Sequence, residues 1–178
     1  MPKRDRNGQA NIWDDDDLNA VLEELSPSMR LLFSICRYTG CRVSEARQLH
    51  AEDVVGHHLV FRKVITKGQR TRQVAMHPEL KRILAETELP TTGYLFPSRG
   101  DRPVSRQACD KALRQACDRL GLVGFSTHSF RRTTLTRLSN AGVPLRVIQE
   151  ISGHRSLQEL QRYLEVRPDQ IEGAIAKL

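Results

Sequence analysis

The chain has 178 residues, of which 39% are hydrophobic and 28% charged, and its formal net charge is +7. That length suits one globular domain with a buried core, and the periodic apolar positions exclude wholesale disorder. No apolar run is long enough to span a bilayer and Met1–Arg6 lacks the core of a signal peptide, which argues against a membrane role and for a reducing, cytoplasmic setting.

Residues 1–11 read as a basic, flexible N-terminus and 12–178 as one domain. Asp14–Asp17 precede Leu18, Val21, Leu22 and Leu25, an i, i+3, i+4, i+7 stripe that predicts an amphipathic helix with acids at its positive end. Ser26-Pro27 opens a second helix through Leu31, Leu32, Ile35 and Cys36, and Gly40 should stop it. A short third helix carries Arg42 to Leu49. From Val54 to Val74 the pattern turns β-branched and alternating. Leu59–Phe61, Val64–Thr66 and Thr71–Val74 predict a small antiparallel sheet with Lys67 on the turn before Gly68.

Pro78–Glu88 predicts another helix, Tyr94–Phe96 a short extended piece, and Ser105–Leu120 a helix ended by Gly121. From Thr127 onward the pattern is nearly all helical. One helix runs from His128 to Asn140 and a second, after Gly142 and Pro144, to Ile151. The capping box Ser156–Glu159 starts a third, which carries Tyr163 and stops near Pro168; Ile171–Leu178 closes the chain. The fold class is thus α+β, mainly helical with a small three-stranded antiparallel sheet.

Cys36, Cys41, Cys109 and Cys117 form no C-x-x-C pair and fall inside apolar helical patterns, so they read as buried, reduced thiols rather than a zinc site or a disulfide framework. Asp14–Asp17 reads as helix-start charge and not as a metal site. The excess of arginine favours planar recognition of phosphate, which makes a polyanion the expected partner.

Taken singly, the chemically capable residues have bland readings. His128 and Arg131 stand three apart at a helix start, where they share a face near anion-favouring N–H groups, yet such pairs are commonly a solvated face. Arg42 near its own helix start reads the same way. Tyr163 borders the Leu157, Leu160 and Leu164 stripe and reads as the rim of a core, His154 as a turn residue, and Lys67 as a hairpin lysine.

Their order and spacing, however, resemble the signature of the tyrosine recombinase (phage integrase) family from Trp13 to Pro168. Thr39–Glu45 resembles its first-arginine box, Thr66-Lys67-Gly68 its hairpin lysine, and Thr127–Thr133 its H-x-x-R box. Gly153-His154 followed by Tyr163 resembles its final histidine and nucleophile. Lys63 competes with Lys67 for the lysine position. Two positions depart from the family pattern: Arg132 stands where a second histidine is common, and Ser152 where leucine is common.

The resemblance implies a catalytic set of Arg42, Lys67, His128, Arg131, His154 and Tyr163, with Glu45 supporting the first box from beneath. Forming a tyrosinate at pH 7 from a group with a pKa of about 10 costs roughly 4 kcal/mol. Arg42, Arg131 and His154 are expected to supply the positive field that offsets it, and the two arginines to meet the charge that grows on the phosphate. Lys67 is implied as general acid to the 5′ oxygen and His128 as acid–base partner of the nucleophile. Cleavage would leave a 3′-phosphotyrosyl link that a 5′ hydroxyl can reverse, so no cofactor or metal is implied.

The implied partner is double-stranded DNA, with a homo-oligomer, a tetramer, assembled on it, a monomer as the alternative in isolation, and the protein nucleoid-associated when bound. Arg70, Arg72, Arg106, Arg132 and Arg155 are expected to contact DNA. The helical core-binding domain that precedes the catalytic domain in such enzymes is expected to be absent. A non-catalytic DNA-binding module of the same fold and a type IB topoisomerase-like relaxing enzyme are the alternatives.

Overall fold

A computed structural model describes residues 10–67, 69–164 and 168–176. Residues 1–9 of the expected flexible segment 1–11, and Gly68 of the expected turn, lie outside these. Asp14 caps helix α1 (Asp15–Glu23) by accepting a hydrogen bond from the Asp17 N–H at 2.8 Å, and Asp15 pairs with Arg37 and Arg137. The acidic run is therefore helix-start charge.

Helix α2 (Pro27–Thr39) begins with its proline in the first turn and ends at Gly40, whose φ of 62° closes the helix in the left-handed region. Helix α3 (Val43–Ala46) follows at once, its first turn held by the Glu45 carboxylate, which accepts from the Arg42 N–H at 2.9 Å. The sheet has order β1 (Val54–Val55), β2 (His58–Phe61), β3 (Arg72–Ala75), antiparallel throughout, with Leu59 opposite Val74 and Phe61 opposite Arg72.

One expected strand is something else. Residues Lys63–Ile65 form a 3₁₀ turn, and the single O–H of Thr66 is shared between the Lys63 and Arg70 carbonyls, at 3.1 and 3.0 Å, while its oxygen accepts from the Arg70 N–H. These side-chain bonds give the backbone an alternative to a ladder, and β-branching alone does not outweigh them. Three strands remain because Val54–Val55 supplies the outer one.

Helix α4 (Pro78–Glu86), the hairpin β4 (Pro97–Ser98) and β5 (Arg102–Pro103), and helix α5 (Arg106–Arg119) come next. The C-terminal part is helical: α6 (Thr127–Asn140), α7 (Leu145–Ser152), α8 (Leu157–Gln161) and α9 (Pro168–Ile175). Helix α8 ends earlier than its apolar stripe suggests, so Tyr163 sits on the turn after it, its N–H donating to the Leu160 carbonyl at 2.9 Å.

The main core runs from Trp13 through α2, the sheet and α5 to Phe130, where Phe33 and Phe130 stack at 4.9 Å and Trp13 lies 3.7 Å from Phe125. All four cysteines are buried and free. A smaller cluster of Leu135, Ile148 and Leu160 joins α6, α7 and α8, and Tyr163 packs on its edge. Residues 10–13 are strapped onto α6: Ala10 accepts from Arg132 at 2.6 Å, the Trp13 N–H donates to Thr133 at 2.9 Å, and Arg137 reaches the Trp13 carbonyl at 3.2 Å. Ala10 and Asn11, assigned to the flexible end by composition, are thus anchored. Among the described residues no helix is long and apolar enough to cross a membrane.

Candidate active site

The start of α3, the start of α6 and the end of α7 converge. Arg131 projects inward from the first turn of α6 and is 1% exposed. Its Nη1 donates to the Gly40 carbonyl at 2.6 Å and to the Ser152 carbonyl at 3.0 Å, so one guanidinium joins the C-termini of α2 and α7. Those are the negative ends of two helix dipoles, where a buried cation is favoured. Burial, and then the neighbouring Arg42 charge, pulls the Arg131 pKa down to about 10, which leaves it protonated at neutral pH.

Arg131 Nη2 lies 2.9 and 3.1 Å from the two ring nitrogens of His154, and Ser152 Oγ lies 2.7 Å from His154 Nδ1. Burial, followed by the charges of Arg131, Arg42 and Arg72, holds the His154 pKa down at about 3. The ring is therefore neutral at pH 7 and offers a single lone pair, so one nitrogen accepts from Arg131 and the other is left to donate. A neutral His154 adds no positive field of its own, and the positive side chains around it include those of Arg42, Arg131 and Lys67.

Glu45 is 1% exposed and serves two arginines. Its carboxylate accepts from the Arg42 N–H and stands 3.5 Å from Arg42 Nη1, while Arg72 donates to both oxygens at 3.0 and 3.4 Å. Among the described residues, Arg42 Nη1 and Arg131 Nε are buried without a hydrogen-bond partner. Arg42 Nη1 is compensated by the Glu45 charge at 3.5 Å, whereas Arg131 Nε makes no hydrogen bond, and a buried donor in that state is costly.

Above these groups opens a cavity of about 350 Å³ lined by Arg42, Lys67, His128, Arg132, His154 and Tyr163, with Ala10, Glu159 and Arg162 at its edge. Five of the six expected catalytic residues thus face one space, and the sixth, Arg131, lies under it against His154. The Tyr163 ring is 5.1 Å from the His154 ring, with the Arg131 guanidinium 5.6 Å from its centroid. Lys67 and His128 are exposed, Lys67 on the turn after the 3₁₀ segment and His128 near the α6 start. Lys63 lines a separate depression beside Lys67 and not this cavity.

The arginines expected on DNA fall into different places. Arg70, Arg106 and Arg155 are exposed; Arg70 pairs with Glu150 at 3.3 Å and Arg106 with Asp110 at 3.6 Å. Arg132 is at the cavity and holds Ala10. Arg72 is a correction: it is 9% exposed, turned inward to Glu45, and its Nε donates to the Ile151 carbonyl at 3.1 Å. The alternation Arg72, Val74 already placed it on the core face of β3. Sequence reasoning missed Ser152 as a partner of His154, as well as Arg162 and Ala10 at the cavity. The last of these is visible only through contacts more than a hundred residues apart.

The sequence matches the family described as the phage integrase family over residues 14–170. It is 30% identical over 190 residues to the tyrosine recombinase XerD of Staphylococcus saprophyticus, covering 96% of this chain and 62% of that protein. It spans about half the length of two further curated relatives. The crystal structure of the XerA recombinase superposes with a TM-score of 0.77 at 22% identity, covering 99% of this chain and 66% of that one. The XerH site-specific recombinase bound to its difH substrate superposes with a TM-score of 0.73 at 21% identity, covering 96% and 55%. At such identities the structures establish a shared fold.

Proposed function

Because this chain belongs to the phage integrase family, we propose that it is the catalytic domain of a site-specific DNA recombinase that cleaves and rejoins DNA through Tyr163. The observation that carries this reading is the cavity itself, which gathers Arg42, Lys67, His128, His154 and Tyr163 over Arg131 from five separate segments of the chain.

In the proposed step Tyr163 Oη attacks the scissile phosphorus and its proton passes to His128. The bond from phosphorus to the 5′ oxygen breaks, and Lys67 protonates that leaving oxygen. Negative charge growing on the non-bridging oxygens is met by the Arg42 guanidinium at the cavity, with the Arg131 charge beneath it, each preorganised donor contributing about 2.7 to 4 kcal/mol. His154, neutral, fixes the Arg131 guanidinium. The phosphate stays esterified, now to tyrosine, so a 5′ hydroxyl of another strand reverses the step without ATP.

Double-stranded DNA is the partner on this reading, as in the DNA-bound XerH structure, and the protein would be nucleoid-associated. Assembly as a tetramer on DNA fits the exposed Ile171 and Ile175 of α9, one helical turn apart. Incubation with a duplex nicked so that the fragment carrying the new 5′ hydroxyl diffuses away should trap a covalent protein–DNA band, insensitive to EDTA and lost in Tyr163→Phe. A band that persists in that variant overturns the assignment. DNA binding with no band favours a non-catalytic module, and a band accompanied by relaxation without strand exchange favours a topoisomerase.

A further inference from the structure

Arg72 is a buried cation that no step above uses. Strand β3 alternates, and Arg72 lies on its inward face beside Val74, opposite Phe61, with its guanidinium 4.2 Å over the Phe61 ring. Burying a guanidinium costs several kcal/mol unless its donors are satisfied. Here they are satisfied by two separate parts of the site. Nη1 and Nη2 donate to Glu45, which holds the Arg42 N–H, and Nε donates to the Ile151 carbonyl in the last turn of α7, three residues before His154.

Gly153 makes room for this span. A Cβ there would stand 2.9 Å from Arg72 Nη1 and 3.1 Å from Cζ, and its φ of +67° is one that side chains rarely adopt. Arg72 therefore lies flat against the backbone that delivers His154. It runs alongside the Arg131 tie from Gly40 to Ser152, so two guanidiniums fasten the first-arginine box to the end of α7.

We propose that Arg72 is a positioning residue for DNA cleavage: by bridging Glu45 to the Ile151 carbonyl across Gly153, it sets the placement of Arg42 relative to His154 and Arg131. The proposal rests on the recombinase reading above. Its planar fork matters as well as its charge, because a lysine ammonium cannot serve a carboxylate and a carbonyl in two directions with the same geometry.

The test is single-turnover cleavage of a nicked duplex, with the rate constant at saturating DNA, the fraction of protein able to react, and the Kd for DNA measured separately. Arg72→Gln should lower the saturating rate constant at least tenfold and leave Kd within about twofold, since the side chain is turned away from the surface. Arg72→Lys should recover only part of the rate. Gly153→Ala should slow cleavage more in the native background than in the Arg72→Gln background, where the clash with the guanidinium is gone and only the backbone strain remains; where Arg72→Gln folds poorly, Arg72→Lys, which keeps the buried charge, decides the matter by its rate constant.

An unchanged saturating rate with a weakened Kd would overturn the proposal in favour of a DNA contact. A reduced reactive fraction with an unchanged rate constant would overturn it in favour of a purely structural ion pair, and so would full additivity of the two substitutions. If the native protein forms no adduct at Tyr163, the recombinase reading fails and this proposal falls with it. If the adduct forms and Arg72→Gln reacts at the native rate, the positioning role alone fails.

Discussion

Arg131 and Lys67 serve the same cavity, yet they are held in opposite ways. Arg131 is 1% exposed and bonded to Gly40, Ser152 and His154, whereas Lys67 stands exposed on a turn. The same contrast divides the rest of the site. Glu45, Arg72 and His154 are buried and bonded to one another or to helix ends, while His128 is exposed and Tyr163 rides the turn after a five-residue helix.

The division follows the chemistry assigned to each half. Groups that meet charge on a phosphate gain most from a fixed, dry setting, where no reorganisation is needed when the charge appears. Groups that exchange protons or form a bond with DNA must reach it, and a turn position allows that. Changes in the inner half should therefore cost stability and rate together, and changes in the outer half rate alone.

The largest effect is expected from Glu45→Gln. It leaves Arg42 and Arg72 without their shared carboxylate charge, and breaking a buried pair of this kind costs about 3 to 5 kcal/mol. Chemical denaturation should show that loss, together with slower cleavage in the folded fraction. A variant as stable as the native protein would remove the distinction between the halves.

Lys67→Ala is the matching test outside. Cleavage should fall by about a hundredfold or more while the melting temperature holds, because an exposed side chain is lost and no buried partner is orphaned. A bridging 5′ sulfur at the scissile position should restore the rate, since a thiolate leaves without a proton. Failure of that rescue would take the acid role away from Lys67.

A smaller effect comes from pH. The folded His154 titrates near 3 whereas the unfolded ring takes a proton near 6.5, so the unfolded state binds more protons as pH falls between these values. The stability that depends on a neutral His154 is fully present above about pH 6.5 and is lost on acidification toward 3. Between pH 7 and pH 5 the loss is about 2 kcal/mol at most, and His154→Asn should flatten that dependence. An equal slope in the variant would place the titration elsewhere.

Much of the frame was legible because its signals are local. Pro27 and Gly40 bound α2, Ser26 and Asp14 stand at helix starts, and the four boxes of the site carry their residues at short spacing. The rest depends on side-chain bonds that composition does not show, most of them to partners far along the chain. Val64–Thr66 has strand composition, but the Thr66 hydroxyl closes a turn. The charge of Arg72 points to a DNA contact, yet strand alternation turns it inward to the buried Glu45, a partner 27 residues away that charge alone does not reveal. The anchoring of Ala10 depends on Arg132, and the lowered pKa of His154 on burial and then on three arginines that only the fold brings together.

The central claim is that Tyr163 becomes covalently joined to DNA. Its most direct measurement is mass spectrometry of proteolytic peptides from the complex trapped on a nicked duplex. One nucleotide-bearing peptide is expected, linked through the Tyr163 oxygen to a 3′ phosphate. A link at another residue, or no link under conditions where the native protein and Tyr163→Phe bind the same DNA equally well, would contradict it.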